Sequence, residues 1–134
     1  MPFVLGTVMQ LKGAALSFGR ESMETIFVTG GCGFIGSNYI LYVRANSQFR
    51  VVNLDRLTYA GNPANLAGLA GDSRYIFRKG DICDRDMVRT VINEYTPRAV
   101  INFAAESHVD RSIANPDAFI RTNIFGTYTL LDEA

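Results

Sequence analysis

Thr25-Ile26-Phe27-Val28-Thr29-Gly30-Gly31-Cys32-Gly33-Phe34-Ile35-Gly36 decides how this chain is read. Thr25 to Val28 is an apolar, strand-like segment, and Phe34 opens a helix-like one. Between them lies a glycine-rich turn, with Gly30, Gly33 and Gly36 at three-residue intervals and a G-x-G-x-x-G match from Gly31. A turn of this kind between strand and helix exposes bare backbone N–H groups, which suit a pyrophosphate. The match alone is weak, because a glycine-rich turn has simpler explanations. Its weight comes from residues further along the chain.

Arg50-Val51-Val52-Asn53-Leu54 reads as a buried strand, and Asp55 ends it 19 positions after Gly36. The dinucleotide fingerprint places its ribose-binding carboxylate there. A carboxylate accepts hydrogen bonds from both adenosine ribose hydroxyls and repels a 2′-phosphate, which argues for NAD over NADP. Arg56 qualifies that argument, since an adjacent guanidinium tolerates the phosphate. The alternative role for Asp55 is a strand-end turn.

The remaining pattern alternates strand and helix. A helix is expected from Phe34 to about Ala45, with Ile35, Tyr39, Ile40 and Val43 at helical spacing. A loop comes next over Thr58 to Pro63, then a helical turn over Ala64 to Leu69. Arg74 to Arg78 is the third strand, ending at Gly80-Asp81-Ile82. Arg85 to Tyr95 is a helix stopped by Thr96-Pro97, Ala99 to Phe103 is the fourth strand, and Pro116 opens a last helix. This alternation predicts an α/β fold: a Rossmann-like, doubly wound parallel sheet, here partial, with four strands in the order 3-2-1-4 and helices on both faces. A ligand belongs beyond the carboxyl ends of those strands, where the glycine turn, Asp55, Asp81 and the residues after Phe103 converge. The fourth strand is expected to be an open edge bearing Val100, Ile101 and Phe103.

The 134 residues are enough for one domain with one core. Lys plus Arg and Asp plus Glu are both 13, so no net charge draws the chain to nucleic acid or to an anionic membrane. No apolar run approaches the roughly 20 residues of a membrane span. Cys32 and Cys83 make no disulfide framework and suit a reducing cytoplasm. A single histidine, His108, makes a zinc site improbable. Residues 1–24 read as a poorly ordered leader or a short extension, with Met23 as the natural start. Residues 25–134 read as the N-terminal part of an NAD-binding domain without its substrate domain.

Thr29-Gly30-Gly31-Cys32-Gly33-Phe34-Ile35-Gly36 resembles the TGGxGFIG signature of the extended short-chain dehydrogenase/reductases. Four further stretches resemble a narrower group within them, the dTDP-glucose 4,6-dehydratase family. These are Leu54 to Asn62, Gly80 to Asp84, Phe103 to Ile113, and Thr122-Asn123 with Gly126-Thr127. The resemblance covers Met23 to Ala134. It implies NAD as cofactor and a nucleotide sugar, dTDP-glucose, as substrate of the full enzyme. That reaction oxidises the sugar at C4, eliminates water across C5–C6 and returns the hydride to C6.

The resemblance also assigns residues. Backbone N–H groups of Phe34 and Ile35 would meet the pyrophosphate within the Gly30, Gly33 and Gly36 turn. Asp55 would hold the adenosine ribose, lined by Arg56, Leu57 and Thr58. Asp81 and Ile82 would meet adenine. Phe103, Ala104, Ala105, Glu106 and Ser107 would run under the nicotinamide ribose, with Ser107 also facing the sugar nucleotide, and Thr122 would reach the cofactor. Packing alone would explain Ala104 and Ala105, and loop support would explain Glu106. His108 is read as a loop anchor, and Asp110 with Arg111 as an ion pair. The family's Tyr-x-x-x-Lys pair and Thr-Asp-Glu run are expected beyond Ala134, so no catalytic residue is assigned and dehydration by these residues alone is not expected. The family's homodimer uses the helix near Pro116, which is cut short here, so the dimer is doubtful for this fragment. The competing readings are a UDP-sugar 4-epimerase, decarboxylase or UDP-glucose 4,6-dehydratase, and a non-catalytic NAD-binding product.

Overall fold

The computed structural model describes residues 7–10 and 23–134 apart from 108–112 and 114. Residues 1–6 and 11–22 of the expected leader lie outside the described residues, as do His108, Asp110 and Arg111.

The elements in chain order are β1 (Thr7–Gln10), β2 (Thr25–Thr29), α1 (Phe34–Asn46) and β3 (Arg50–Asp55), then a 3-10 helix (Pro63–Leu69). β4 (Tyr75–Lys79), α2 (Arg85–Tyr95) and β5 (Ala99–Asn102) come next. The chain then runs through α3 (Pro116–Phe119), a π-helical stretch (Ile120–Gly126) and α4 (Thr127–Glu133). The parallel strands lie in the order β4-β3-β2-β5, which is the expected 3-2-1-4 arrangement.

The sheet has a fifth member. β1 pairs antiparallel with the outer side of β5, Thr7 opposite Asn102 and Gln10 opposite Ala99. This corrects the expected open edge at the fourth strand. An unpaired strand presents a row of N–H and C=O groups, and an extended stretch of the same chain satisfies them.

The inner parallel strands β2, β3 and β5 are largely buried because both faces of the sheet are covered there, whereas β4 at the edge is not. All five residues of β2 are buried. On one face Ile26, Val28, Val51 and Ile101 pack with Ile40 and Val43 of α1 and Leu66 of the 3-10 helix. On the other, Phe27, Val52, Leu54 and Val100 pack with Val88 and Val91 of α2 and Leu130 of α4. The Asp84 side chain caps α2 by accepting from Met87 N, and Thr96, at φ 40°, ends it in the left-handed region. The expected last helix is interrupted. Its π-helical stretch ends at Gly126, where a Cβ would stand 2.5 Å from Ile82 Cδ1, so the missing side chain lets this helix pass close to the loop after β4.

Candidate functional site

A cleft opens at the carboxyl ends of β2, β3, β4 and β5. Each edge is set by a strand end, as the order reversal at β2 requires.

The glycine turn forms its centre. Gly30 has φ +69°, and a Cβ there would stand 2.4 Å from Ala104 N, so only glycine fits between the turn and the segment after β5. At Gly36 a Cβ would meet Gly30 O at 2.4 Å. The turn therefore packs backbone to backbone on the start of α1. That start carries no side-chain cap and no acidic residue in its first turn. The leading N–H groups of a helix have no partner within it and carry its positive end. An anion placed there meets donors and no competing carboxylate.

Asp55 forms the second edge and is 7% exposed. Its Oδ2 accepts Cys32 N at 2.8 Å, and its Oδ1 accepts Leu57 N at 2.8 Å. Leu57 is held at φ 58°, an unusual conformation for a branched residue. Gly61 closes over the carboxylate, since a Cβ there would lie 2.8 Å from Asp55 Oδ1. The loop beyond returns to the turn, with Asn62 N and Asn65 Nδ2 both donating to Cys32 O, at 2.9 and 3.1 Å. Asp55 is thus fixed in place, and the spare lone pairs of its oxygens remain as acceptors.

On the far side Arg56 Nη1 lies 3.2 Å from Asp81 Oδ2. Asp81 Oδ1 accepts Cys83 N, which orients the carboxylate. The near floor is the segment after β5. Asn102 Oδ1 accepts Ala104 N at 3.0 Å. The Asn123 side chain clamps Glu106 from both sides, accepting from Glu106 N and donating to Glu106 O, each at 2.8 Å. The Glu106 carboxylate accepts from Tyr59 OH at 3.4 Å.

Of the residues singled out in the sequence, Gly30, Gly33, Asp55, Arg56 and Thr58 line the cleft. So do Asp81, Ile82, Phe103, Ala104, Ala105, Glu106 and Thr122. Phe34, Ile35, Gly36, Leu57 and Ser107 do not line it. Phe34 and Ile35 are 81% and 48% exposed at the start of α1. Leu54, Ala60, Gly61 and Gly80 also line the cleft, and none was assigned from sequence. Asn53, Asn102 and Asn123, which hold the cleft's loops, were unassigned too.

Burial and the nearby Asp55 carboxylate push the Cys32 thiol up to about 11, so it is a neutral packing group. Both cysteines are free. Among the described residues no group of His, Cys, Asp or Glu is placed to hold a metal ion, and no helix is long and apolar enough to cross a membrane.

One Tyr-x-x-x-Lys spacing does occur in the chain, at Tyr75 to Lys79, which corrects the expectation of none before Ala134. It lies on β4. Residues four apart on a strand stand about 13 Å apart, whereas on a helix they are neighbours. The Tyr75 hydroxyl accepts from Asn53 Nδ2 at 3.0 Å. Burial raises its pKa, the opposite of what an activated base requires. This pair is not a proton-transfer site.

The fold and cleft define a Rossmann-like sheet of the kind found in nucleotide-sugar dehydratases and epimerases. The chain belongs to the GDP-mannose 4,6 dehydratase family, whose profile matches residues 27–134. It is 56% identical over 110 residues to a dTDP-glucose 4,6-dehydratase of Xanthomonas campestris pv. campestris (strain B100), covering 82% of this chain and 31% of that protein. Identity to dTDP-glucose 4,6-dehydratase 1 of Escherichia coli (strain K12) is 52% over 109 residues, 81% of this chain and 30% of the relative. The chain therefore spans about a third of the length of these relatives. DesIV, a dTDP-glucose 4,6-dehydratase from Streptomyces venezuelae solved with NAD bound, is similar with a TM-score of 0.76 at 44% identity, over 82% of this chain and 35% of that one. A UDP-glucose 4-epimerase from Brucella ovis in complex with NAD is also similar, with a TM-score of 0.71 at 32% identity over 82% and 31% of the two chains.

Proposed function

We propose that residues 25–134 seat NAD in an enzyme that dehydrates dTDP-glucose to its 4-keto-6-deoxy product. The observation that carries this reading is the cleft. Gly33, at the acid-free, uncapped start of α1, lines it beside a fixed, buried Asp55, at the reversal of strand order. The pyrophosphate would lie on the Phe34 and Ile35 N–H groups and the adenosine ribose on Asp55. Adenine would lie by Asp81 and Ile82, and the nicotinamide ribose over Ala104 to Ser107, near Thr122. Ser107 would also face the sugar nucleotide. The absence of a Cβ at Gly33, which lines the cleft, supports this fit, because phosphate oxygens need to approach the backbone closely.

Identity of 50% or more to relatives called dTDP-glucose 4,6-dehydratase favours that activity over 4-epimerisation, where the similarity is 32%. No Tyr-x-x-x-Lys pair lies on a helix among the described residues, so their part is to hold cofactor rather than to move protons. The whole enzyme would be a homodimer through the helix beginning at Pro116. Exposed Ile120, Ile124, Phe125, Tyr128 and Leu131 on it support that reading.

The test is to incubate the purified chain with NAD and dTDP-glucose. The proposal expects bound NAD and no 4-keto-6-deoxy sugar nucleotide. Turnover by these 134 residues would contradict the division of labour.

A further inference from the structure

Asn53 sits in the middle of β3 with no exposed surface. A buried amide in a central strand is costly unless all its polar atoms are bonded. Here each has a partner, and the partners lie in the glycine turn and on β4. Asn53 Oδ1 accepts Gly31 N at 3.1 Å. Because a backbone N–H can only donate, this bond fixes which end of the amide faces the turn. Its Nδ2 then donates to Tyr75 OH at 3.0 Å and, more weakly, to Cys32 Sγ at 3.6 Å. A Cβ on Gly31 would stand 2.3 Å from Asn53 Oδ1, so the absent side chain admits this contact. Two positions further along β3, Asp55 takes the next N–H of the turn, that of Cys32.

We propose that Asn53, oriented by Tyr75, is the positioning residue that holds the glycine turn in the curvature a pyrophosphate requires. The inference rests on the reading of the cleft as a dinucleotide seat. The N–H groups of Gly31 and Cys32 are both taken by β3 side chains. The N–H groups at the start of α1, next to cleft-lining Gly33, have no side-chain cap. If Asn53 lets go, Gly31 N loses its acceptor, Asp55 alone holds the turn through Cys32 N, and the donors lose their preset aim. The cost falls on ligands that span the pyrophosphate, since a mononucleotide is held chiefly by Asp55 and its surroundings.

The experiment compares the unaltered chain with Asn53→Leu and the milder Tyr75→Phe, at a temperature where melting curves show each folded. NAD and AMP affinities are measured by calorimetry, and amide hydrogen exchange of Gly31 and Cys32 by NMR without ligand. Asn53→Leu is expected to weaken NAD roughly tenfold and AMP less than about threefold, as loss of a buried hydrogen bond to backbone implies. Tyr75→Phe should move both readouts in the same direction and less far. Exchange at Gly31 and Cys32 should quicken in both variants. Equal losses for NAD and AMP, or unchanged exchange, would overturn the proposal. If Asn53→Leu does not fold, Tyr75→Phe decides by the same criteria. Failure of the unaltered chain to bind NAD would instead remove the dinucleotide reading and this proposal's pyrophosphate role with it. The exchange rates would still report separately whether Asn53 holds the turn.

Discussion

Thr29 on β2 and Asn102 on β5 are joined by a buried hydrogen bond, Oγ1 to Oδ1 at 2.6 Å, and the same Asn102 oxygen accepts Ala104 N at 3.0 Å. One amide oxygen thus ties two adjacent strands and aims the loop that floors the cleft. Thr29→Val keeps the shape and removes the donor. It should cost about 1–2 kcal/mol in urea unfolding, and Asn102→Leu about 1–3 kcal/mol, because it also orphans Ala104 N. A double-mutant cycle should show coupling between the two; additive losses would mean that the bond contributes nothing of its own.

The glycines of the turn are not equivalent. Gly30→Ala places a methyl 2.4 Å from Ala104 N at φ +69°, and Gly36→Ala places one 2.4 Å from Gly30 O. Either change should lower stability by about 1–3 kcal/mol, the range for forced overpacking. Gly33 has φ −73°, and a Cβ would touch only Gly30 O, at 3.4 Å. Gly33→Ala should therefore leave the melting temperature nearly unchanged and weaken NAD, since its methyl stands in the cleft lining. Equal loss of stability in all three variants would refute this distinction.

Stability should fall on the alkaline side. The unfolded Cys32 thiol ionises near 9.0, whereas in the fold burial and Asp55 hold the proton up to about 11. The folded state then binds more protons between those values, so stability is steady below about pH 9 and declines as pH rises toward 11. Tyr75 and Tyr39, both raised by burial, act in the same sense above pH 10. Urea midpoints at pH 8, 9.5 and 10.5 measure the decline, and Cys32→Ala should flatten its first part. A constant midpoint across the series would contradict it.

The cleft's outline is legible in the sequence because its markers are local. Gly30 to Gly36 and Asp55 announce themselves by spacing and by the strand before them. What holds the cleft is not legible. Asn53 reads as one polar residue in an apolar strand until β3 is paired beside β2 and Gly31 N comes within reach. Asn123 likewise needs the helix folded back onto the Glu106 backbone. β1 carries little pattern in its four residues, and its place comes from backbone pairing with β5. Tyr75 and Lys79 show the converse: a spacing with meaning on a helix loses it on a strand.

The Asn123 clamp is exposed, so its removal should be felt locally. Asn123→Ala should change global stability by about 1 kcal/mol or less and quicken hydrogen exchange at Glu106. Exchange at Glu106 equal to that of the unaltered chain would show that the clamp does not order the loop.

An NMR titration of the chain with NAD tests the dinucleotide seat most directly. A seat in the cleft predicts saturable amide shifts confined to residues 30–36, 55–58, 81–82, 103–107 and the vicinity of Thr122, with Phe34 and Ile35 among the largest. Asp55→Ala should weaken the binding roughly tenfold or more while the fold is retained, as expected for loss of hydrogen bonds to a charged group. No shifts at millimolar NAD, or shifts centred elsewhere on the sheet, would contradict it.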